Sequence, residues 1–247
     1  MLFPDIANLH GDNANIAYLS RCRPDATVVR TALADKPEFA DSVPNLIYLG
    51  PMTESGQRKA IDRLRGYTTR LKELIDAGVV FLFTHNAMEI LGQRIRNDNQ
   101  GYDVPGLGLF PMTARIDLFG RYSGKVMGPV GDTIVVGYKS QFSMVDADGV
   151  APFMTATRGI GRNRNTALEG VRVNNFIGTS LLGPLLLTNP PFTKQLLSLI
   201  DPDTPPELAF EGLAMDAYNA RLADFSDPHR WHPGEQPSSL AGGFLRV

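Results

Sequence analysis

Thr84, His85 and Glu89 put a hydroxyl, an imidazole and a carboxyl group into one short stretch of the chain, Val79-Val80-Phe81-Leu82-Phe83-Thr84-His85-Asn86-Ala87-Met88-Glu89-Ile90-Leu91-Gly92. These are the side-chain types that act as nucleophile, base and acid. The apolar run from Val79 to Phe83 reads as a fully buried strand of a parallel sheet. After a two-residue turn, Ala87 to Leu91 reads as a helix start. A strand–turn–helix elbow pushes one side chain out at the carboxyl edge of the sheet, facing the free N–H groups of the helix. The residue at that position is His85, where an acyl-transfer elbow would need Cys or Ser. The plainer reading is that a polar residue in such a turn caps the helix or bonds locally.

Three other groups have chemical potential. Cys22 lies between Arg21 and Arg23, which would favour a thiolate, but it lies outside the elbow and reads as a packing residue. His229 and His232 are three apart, like a metal pair; Pro228 and Pro233 flank them, they are not on a helix, and no third ligand is evident, so no metal is expected. Arg158-Gly159-Ile160-Gly161-Arg162-Asn163-Arg164-Asn165 has the composition of an anion-binding loop. It lacks the strand–loop–helix setting of a dinucleotide site and reads as a solvated basic loop.

The elements that must position these residues follow from periodicity. Asp12 or Asn13 caps a short helix that runs to Leu19. Only Leu2-Phe3 precedes Pro4, so a first strand is very short or starts upstream. Thr27 to Arg30 reads as a strand, and Asn45 to Leu49 as a second buried strand ended by Gly50-Pro51. From Gly56 to Ala77, Ile61, Leu64, Leu71, Leu74 and Ile75 recur at helical spacing. Arg58, Lys59, Arg63, Arg65, Arg70 and Lys72 fill the other face, expected to be solvent-exposed, and Gly78 is a C-cap. A strand–helix–strand unit of this size favours a right-handed crossover in a parallel sheet. After Gly92 the texture becomes β-rich, with strands expected at Leu109–Leu118, Ser123–Met127, Thr133–Tyr138, Phe153–Thr157 and Val171–Ile177. Pro191 to Ile200 reads as a helix, and one further helix is expected over Glu207–Phe225 before a Pro/Gly/Ser-rich tail.

The totals exclude several function classes. A formal charge of -2 makes no case for nucleic acid or an acidic membrane surface as partner. No apolar run reaches the ~20 residues of a membrane helix, and Ile177 to Leu187 is broken by Gly178, Gly183 and Pro184. Met1 to Asp5 has no basic region of the signal-peptide kind, and the single cysteine excludes an intramolecular disulfide, so a cytoplasmic location is expected.

The ordered motifs of this chain resemble those of a known family. Asn8-Leu9-His10-Gly11-Asp12-Asn13-Ala14-Asn15 is similar to its "NLYGDxGN" segment, and Pro105-Gly106-Leu107-Gly108-Leu109 to its "PGLGLL" turn. Gly137-Tyr138 stands where it has "GFENH", and Gly161-Arg162-Asn163 with Glu169-Gly170 resembles "GNN…EG". The run Ile177 to Pro190 resembles "IGTYLHGPLLPKNP". The family is the glutaminase subunit of lipid II isoglutaminyl synthase, within the cobyric-acid-synthase-like class I glutamine amidotransferases. The resemblance implies an α/β, flavodoxin-like class I glutamine amidotransferase fold over residues 1–200: a central, mostly parallel sheet flanked by helices, with an extra β-rich segment. Residues 201–247 form a Pro-rich C-terminal extension with one possible helix.

The family's reaction needs a thiolate at the elbow, a histidine to move the proton and backbone N–H groups for the oxyanion. Its elbow "ICGGYQLLG" falls on Thr84 to Gly92, which puts His85 at the nucleophile position with Asn86 after it. The histidine of "YLHGP" falls on Leu182. The glycine-rich oxyanion loop falls on Gly50-Pro51-Met52, where Pro51 has no N–H to donate. The acid and histidine expected around Lys139-Ser140-Gln141 are also replaced, and no second histidine is near His85 in the motif. Gly50, Met52, Glu89 and Gln141 are the positions left to line a substrate pocket. The losses converge on one reaction while the scaffold motifs persist, so the resemblance implies a degenerate, non-catalytic glutamine amidotransferase-like subunit. It further implies a Mur-ligase-like ATP-dependent partner in peptidoglycan precursor amidation and no cofactor. Two alternatives stay open: altered chemistry at the same pocket through His85, Thr84 or Glu89, and a module that binds glutamine or another amino acid.

Overall fold

Strand β2 (Val80–Thr84) is buried along its whole length, and the rest of the fold follows from covering both of its faces. Phe81 and Phe83 point to one side and pack on Phe176, with ring centroids 5.8 and 5.4 Å away. Val80 and Leu82 belong to the apolar cluster on the other side. This alternation within a continuous apolar run marks a parallel strand with helices on both faces. The structure is a computed structural model that describes residues 1–231 and residue 235.

The central sheet has the order β1-β2-β12-β11, where β1 is Leu46–Leu49, β11 is Val171–Val173 and β12 is Phe176–Thr179. β1 and β12 both run parallel to β2, and β11 is antiparallel to β12. Helix α1 (Ala14–Cys22) and, after the sheet, α4 (Leu185–Thr188) and α5 (Pro190–Ile200) supply one apolar layer; α2 (Glu54–Arg65) and α3 (Thr68–Asp76) supply the other. The β-rich segment holds a four-stranded sheet of order β4-β3-β5-β8, made of Arg94–Asn97 (β3), Tyr102–Pro105 (β4), Thr113–Ile116 (β5) and Ser143–Asp146 (β8). It also holds a long hairpin, Tyr122–Val130 (β6) with Thr133–Gln141 (β7), and a short pair, Met154–Thr155 (β9) with Leu168–Glu169 (β10). Helix α6 spans Glu211–Ser226. This is the α/β arrangement expected, a mostly parallel central sheet between helices with added β structure.

Several expected elements differ, each for a physical reason. The single helix over Gly56–Ala77 is two helices. The apolar positions Leu64 and Leu71 are seven apart, so the periodicity reads straight through the break at Gly66-Tyr67. Thr27–Arg30 is not a strand. Phe3 donates to Thr31 O and Thr31 donates to Met1 O, but one bridge is all that forms between these segments. Phe3 has φ +50° and Pro4 has no N–H, so the pairing cannot continue past them. Val171–Ile177 is a hairpin, because Asn174 turns the chain at φ +52°. Phe153–Thr157 contracts to β9. Strands β3, β4 and β8 carry too few apolar residues to announce themselves in the sequence. The basic helix face does more than meet solvent: Arg63 donates to Asp35 O at 2.6 Å, Arg65 to Pro105 O at 3.0 Å and Arg70 to Ser42 O at 2.9 Å. Those arginines fasten the loops around the helices.

The segment expected to be a solvated basic loop is buried from Arg158 to Arg162, and only Arg164 and Asn165 at its end are exposed. Arg158 is fully enclosed, stacks on Phe225 and Trp231, and donates to Glu235 at 2.6 Å and to the carbonyl oxygens of Phe225 at 2.6 Å and Arg230 at 2.7 Å. Arg162 donates to the carbonyl oxygens of Gly170, Ala147 and Val150. Both guanidinium groups end on chain carbonyls or a carboxylate, which leaves them no free donor face for an anion. His229 lies in a short turn, and His232 is outside the described residues. Arg158→Met removes a buried ion partner of Glu235 and strands two helix-end carbonyls. The expected cost is about 3 to 5 kcal/mol, read as a loss of denaturant midpoint with α6 detaching.

Candidate functional site

The elbow geometry survives at His85. It follows Thr84 at the carboxyl end of β2 and has φ +53°, a left-handed conformation that is uncommon and costly outside glycine. The following residues, His85–Leu91, wind as a 3-10 helix rather than the expected α-helix, and there is no intervening turn. Nothing in the side-chain pattern separates the two helix types.

The imidazole is held on one side only. His85 Nε2 lies 3.2 Å from the carbonyl oxygen of Ser140, so Nε2 carries the proton and Nδ1 bears the lone pair. Nδ1 is buried and has no hydrogen-bond partner among the described residues. Burial lowers the His85 pKa, against the Ser140 carbonyl that raises it. A second histidine does stand beside it, contrary to the sequence reading. The His10 ring is 5.7 Å away at an interplanar angle of 50°, and His10 is itself at φ +58°. Its place inside the Asn8–Asn15 motif was the only signal for it.

Asp12 joins the ends of two of the parallel strands, β1 and β2. Its Oδ2 accepts from Tyr48 Oη at 2.6 Å and from the Thr84 hydroxyl. Burial pushes the Asp12 carboxyl up, against the hydroxyls of Thr84 and Tyr48. A Cβ on Gly183 would collide with Asp12 Oδ1, so that glycine lets the loop after β12 close over the carboxyl. Asn15 Nδ2 donates to Tyr48 Oη at 3.4 Å, and Asn15 Oδ1 accepts from Leu186 N at 2.9 Å. The motif around Asp12 therefore holds β1, β2 and the loop after β12 in register. The Thr84 hydroxyl is committed to this network and is not a free nucleophile.

Asn86 closes the loop after β1. Its Oδ1 accepts from Met52 N at 3.1 Å and its Nδ2 donates to Met52 O at 2.8 Å. One side chain thus takes both the N–H and the C=O of Met52, in the loop where the resemblance puts the oxyanion donors. Gly50 is packed tightly, with its ideal Cβ position 3.1 Å from Tyr48 Oη. Gln57 Nε2 donates to Asn86 O at 2.7 Å and to Glu89 Oε2 at 2.9 Å, which ties the buried Glu89 to the same cluster. Burial pushes the Glu89 carboxyl up to about 7, against the Gln57 amide that lowers it.

The remaining expected positions are occupied by structure. Leu182 N donates to Tyr138 O at 2.8 Å, and its aliphatic side chain carries no proton. Gln141 is buried, with Nε2 donating to Ser143 O at 2.6 Å. Lys139 and Glu169 form a fully buried pair, Nζ to Oε1 3.4 Å, that sequence reading missed as a pair. Lys139 Nζ also donates to Gly161 O, and Glu169 accepts from Ser180 N, so the pair fixes the turn after β12. Burial lowers the Lys139 pKa, with Glu169 opposing. Cys22 is buried on α1, and its Sγ accepts from Ala209 N at 3.4 Å. No cluster of three or more His, Cys, Asp or Glu among the described residues could hold a metal. Chemically, the elbow offers an imidazole base, but no thiolate, no free oxyanion donor at Met52 and no proton carrier at position 182.

No known protein-family profile matches the chain, and no curated protein matches it in sequence. Among solved structures it is similar to one described as "Crystal structure of glutamine amidotransferase", with a TM-score of 0.51 and 12% sequence identity. The match covers 81% of this chain and 97% of that one. The chain has the glutamine amidotransferase fold, and at this identity the likeness speaks to the fold alone.

Glu89 makes the stability of this cluster depend on pH. Its pKa is raised from 4.5 to about 7, so the folded state holds the proton more tightly than the unfolded chain. The associated stability is fully present below the unfolded value and is lost as pH rises through the folded one, to the order of 3 kcal/mol at most. Denaturant titrations between pH 4 and 8 should show this decline in the wild type and a much flatter profile in Glu89→Gln. Parallel profiles would show that Glu89 does not carry it.

Proposed function

We propose that this chain is a non-catalytic glutamine amidotransferase-like subunit. Its elbow has been converted from a reaction site into a packed structural feature. The observation that carries this reading is the Asn86 side chain, which bonds both the N–H and the C=O of Met52 beside a histidine at the nucleophile position. Such an elbow can neither form a glutamyl thioester nor receive its oxyanion. A site with no thiolate, no free donor at Met52 and no histidine at position 182, within a scaffold that keeps its register-setting network, supports selection on the scaffold and its surface.

The finer part of the proposal comes from the ordered motifs. The partner is a Mur-ligase-like subunit that activates a carboxylate with ATP, and the setting is amidation of a peptidoglycan precursor, lipid II, in the cytoplasm. No helix among the described residues is long and apolar enough to cross a membrane. In the complex the amine comes from free ammonia or another amine, and this chain holds the ligase in its active shape. Co-expression with such a ligase should give a stable complex that amidates lipid II with ammonium salts and gains nothing from glutamine. Glutamine-driven amidation by the purified pair would sink the proposal.

One observation favours a second reading, altered amide chemistry at the same pocket. His10 packs on His85, and the Nδ1 lone pair of His85 is unused. Under that reading His10→Ala and His85→Ala each abolish an amide hydrolysis while leaving the unfolding midpoint close to wild type. Absence of any hydrolysis in the wild type across small amides removes it.

A further inference from the structure

The central sheet has an open strand position at the outer edge of β1. Leu2 N donates to Tyr48 O at 2.9 Å, and Phe81 N donates to Asn175 O, away from β1. With the β1–β2 register, this alternation turns the backbone groups of Leu46 and Tyr48 outward, away from β2. Of these, Leu46 N, Leu46 O and Tyr48 N have no hydrogen-bond partner among the described residues. A second wall stands one strand away. Met1 N donates to Val29 O at 3.0 Å, Thr31 N to Met1 O at 3.0 Å and Phe3 N to Thr31 O at 2.7 Å, a short parallel pairing. Val29 N has no partner among the described residues. Met1, Leu2 and Phe3 thus fill one end of a lane between two edges of the same direction. The rest of the lane is a groove of about 560 Å³, with residues 44–47 on one wall and 26–29 on the other. Four residues a side make it about 13 Å long at the rise of a strand. Both of its faces are apolar: Phe39 and Ile47 belong to one core layer, while Leu19, Val28, Leu46 and Leu197 pack with the other.

These features select the occupant. Unpaired backbone donors and acceptors along an apolar slot are satisfied by another extended backbone, and a hydrocarbon would leave them unmet. The slot is one strand wide with a wall on each side, so it admits a single chain end and not the sheet edge of a second copy. Its charge sets the direction. The Met1 amine stands at one end with Arg30 near it, and Arg23 lines the groove with a buried Nε that has no partner. The rest of the Arg23 guanidinium bonds the carbonyl oxygens of Cys22, Thr204 and Pro205. Glu38 is the one acidic residue among the described residues of the lining. Burial, then Arg30, lowers the Met1 amine to about 6, and a carboxylate beside it would hold its proton on. A strand that runs parallel to β1 reaches this amine with its carboxyl terminus. An antiparallel strand would bring a second amine to the same cations.

We propose that the groove between β1 and residues 26–29 takes the apolar carboxyl-terminal strand of a partner protein, which adds to the sheet parallel to β1 and sets its terminal carboxylate against the Met1 amine. The proposal does not rest on the reading of the elbow, because it concerns the outer edge of β1 and not the end of β2. Fluorescence anisotropy tests it with the full chain and a labelled peptide that ends in Val-Ile-Val-Val with a free carboxylate. Hydrogen exchange on the same mixture reads the backbone pairing. Binding should be saturable, and the amides of Tyr48 and Val29 should exchange at least about tenfold more slowly with peptide present. The carboxamide form of the peptide should bind about tenfold more weakly. So should Val29→Glu, which puts an acid at an exposed wall position near the amine and should leave the far-UV spectrum unchanged. Absence of saturable binding overturns the proposal. Equal affinity for the carboxamide, equal affinity in Val29→Glu, or binding that leaves both amides unprotected overturns it as well. Protection of the two amides by raised protein concentration alone overturns it in favour of a second copy.

Discussion

The constraint on which this molecule depends is the burial of β2 on both faces. With Phe81 and Phe83 against one apolar layer and Val80 and Leu82 against the other, the strand can shift neither in register nor in depth. Its end is then fixed in space, and the next residue must leave the sheet by a sharp turn. His85 takes that turn in a left-handed conformation. In a hydrolase such strain presents a nucleophile. Here the residue in that conformation is a histidine, and its position is imposed by the strand and by the packed helix that follows.

The second layer of determination is polar. A buried carboxyl at Asp12 gathers the hydroxyls of Tyr48 and Thr84, one from the strand β1 and one from the end of β2. A buried carboxylate without such donors would cost several kcal/mol, so once formed the network resists change. Asn86 does the same for the loop after β1 through Met52, and the Lys139–Glu169 pair does it for the turn after β12. These three clusters surround the elbow. They explain how the carboxyl edge stays ordered.

Much of this was legible in the sequence where apolar periodicity is unambiguous. The strands at 46–49 and 80–84 and the helix at 190–200 follow from runs and spacings that permit one interpretation. The break between α2 and α3 was not legible, since a seven-residue interval preserves the helical face across it. The weakly apolar strands β3, β4 and β8 are held by neighbours and not by their own composition. At the site, the placement of His85 at the end of β2 could be read from the sequence. The approach of His10 to His85, the two hydrogen bonds between Asn86 and Met52 and the burial of Arg158 and Arg162 could not, because each depends on contacts between segments far apart in the chain.

The account stands or falls on whether the elbow has lost its reaction. The most direct measurement is ammonia release from glutamine by the purified chain, with His85→Ala beside it. The account predicts no glutamine-dependent release from either protein above the rate without enzyme. Release by the wild type that disappears in His85→Ala would contradict it, and would make the imidazole at the tip of β2 a working catalytic group.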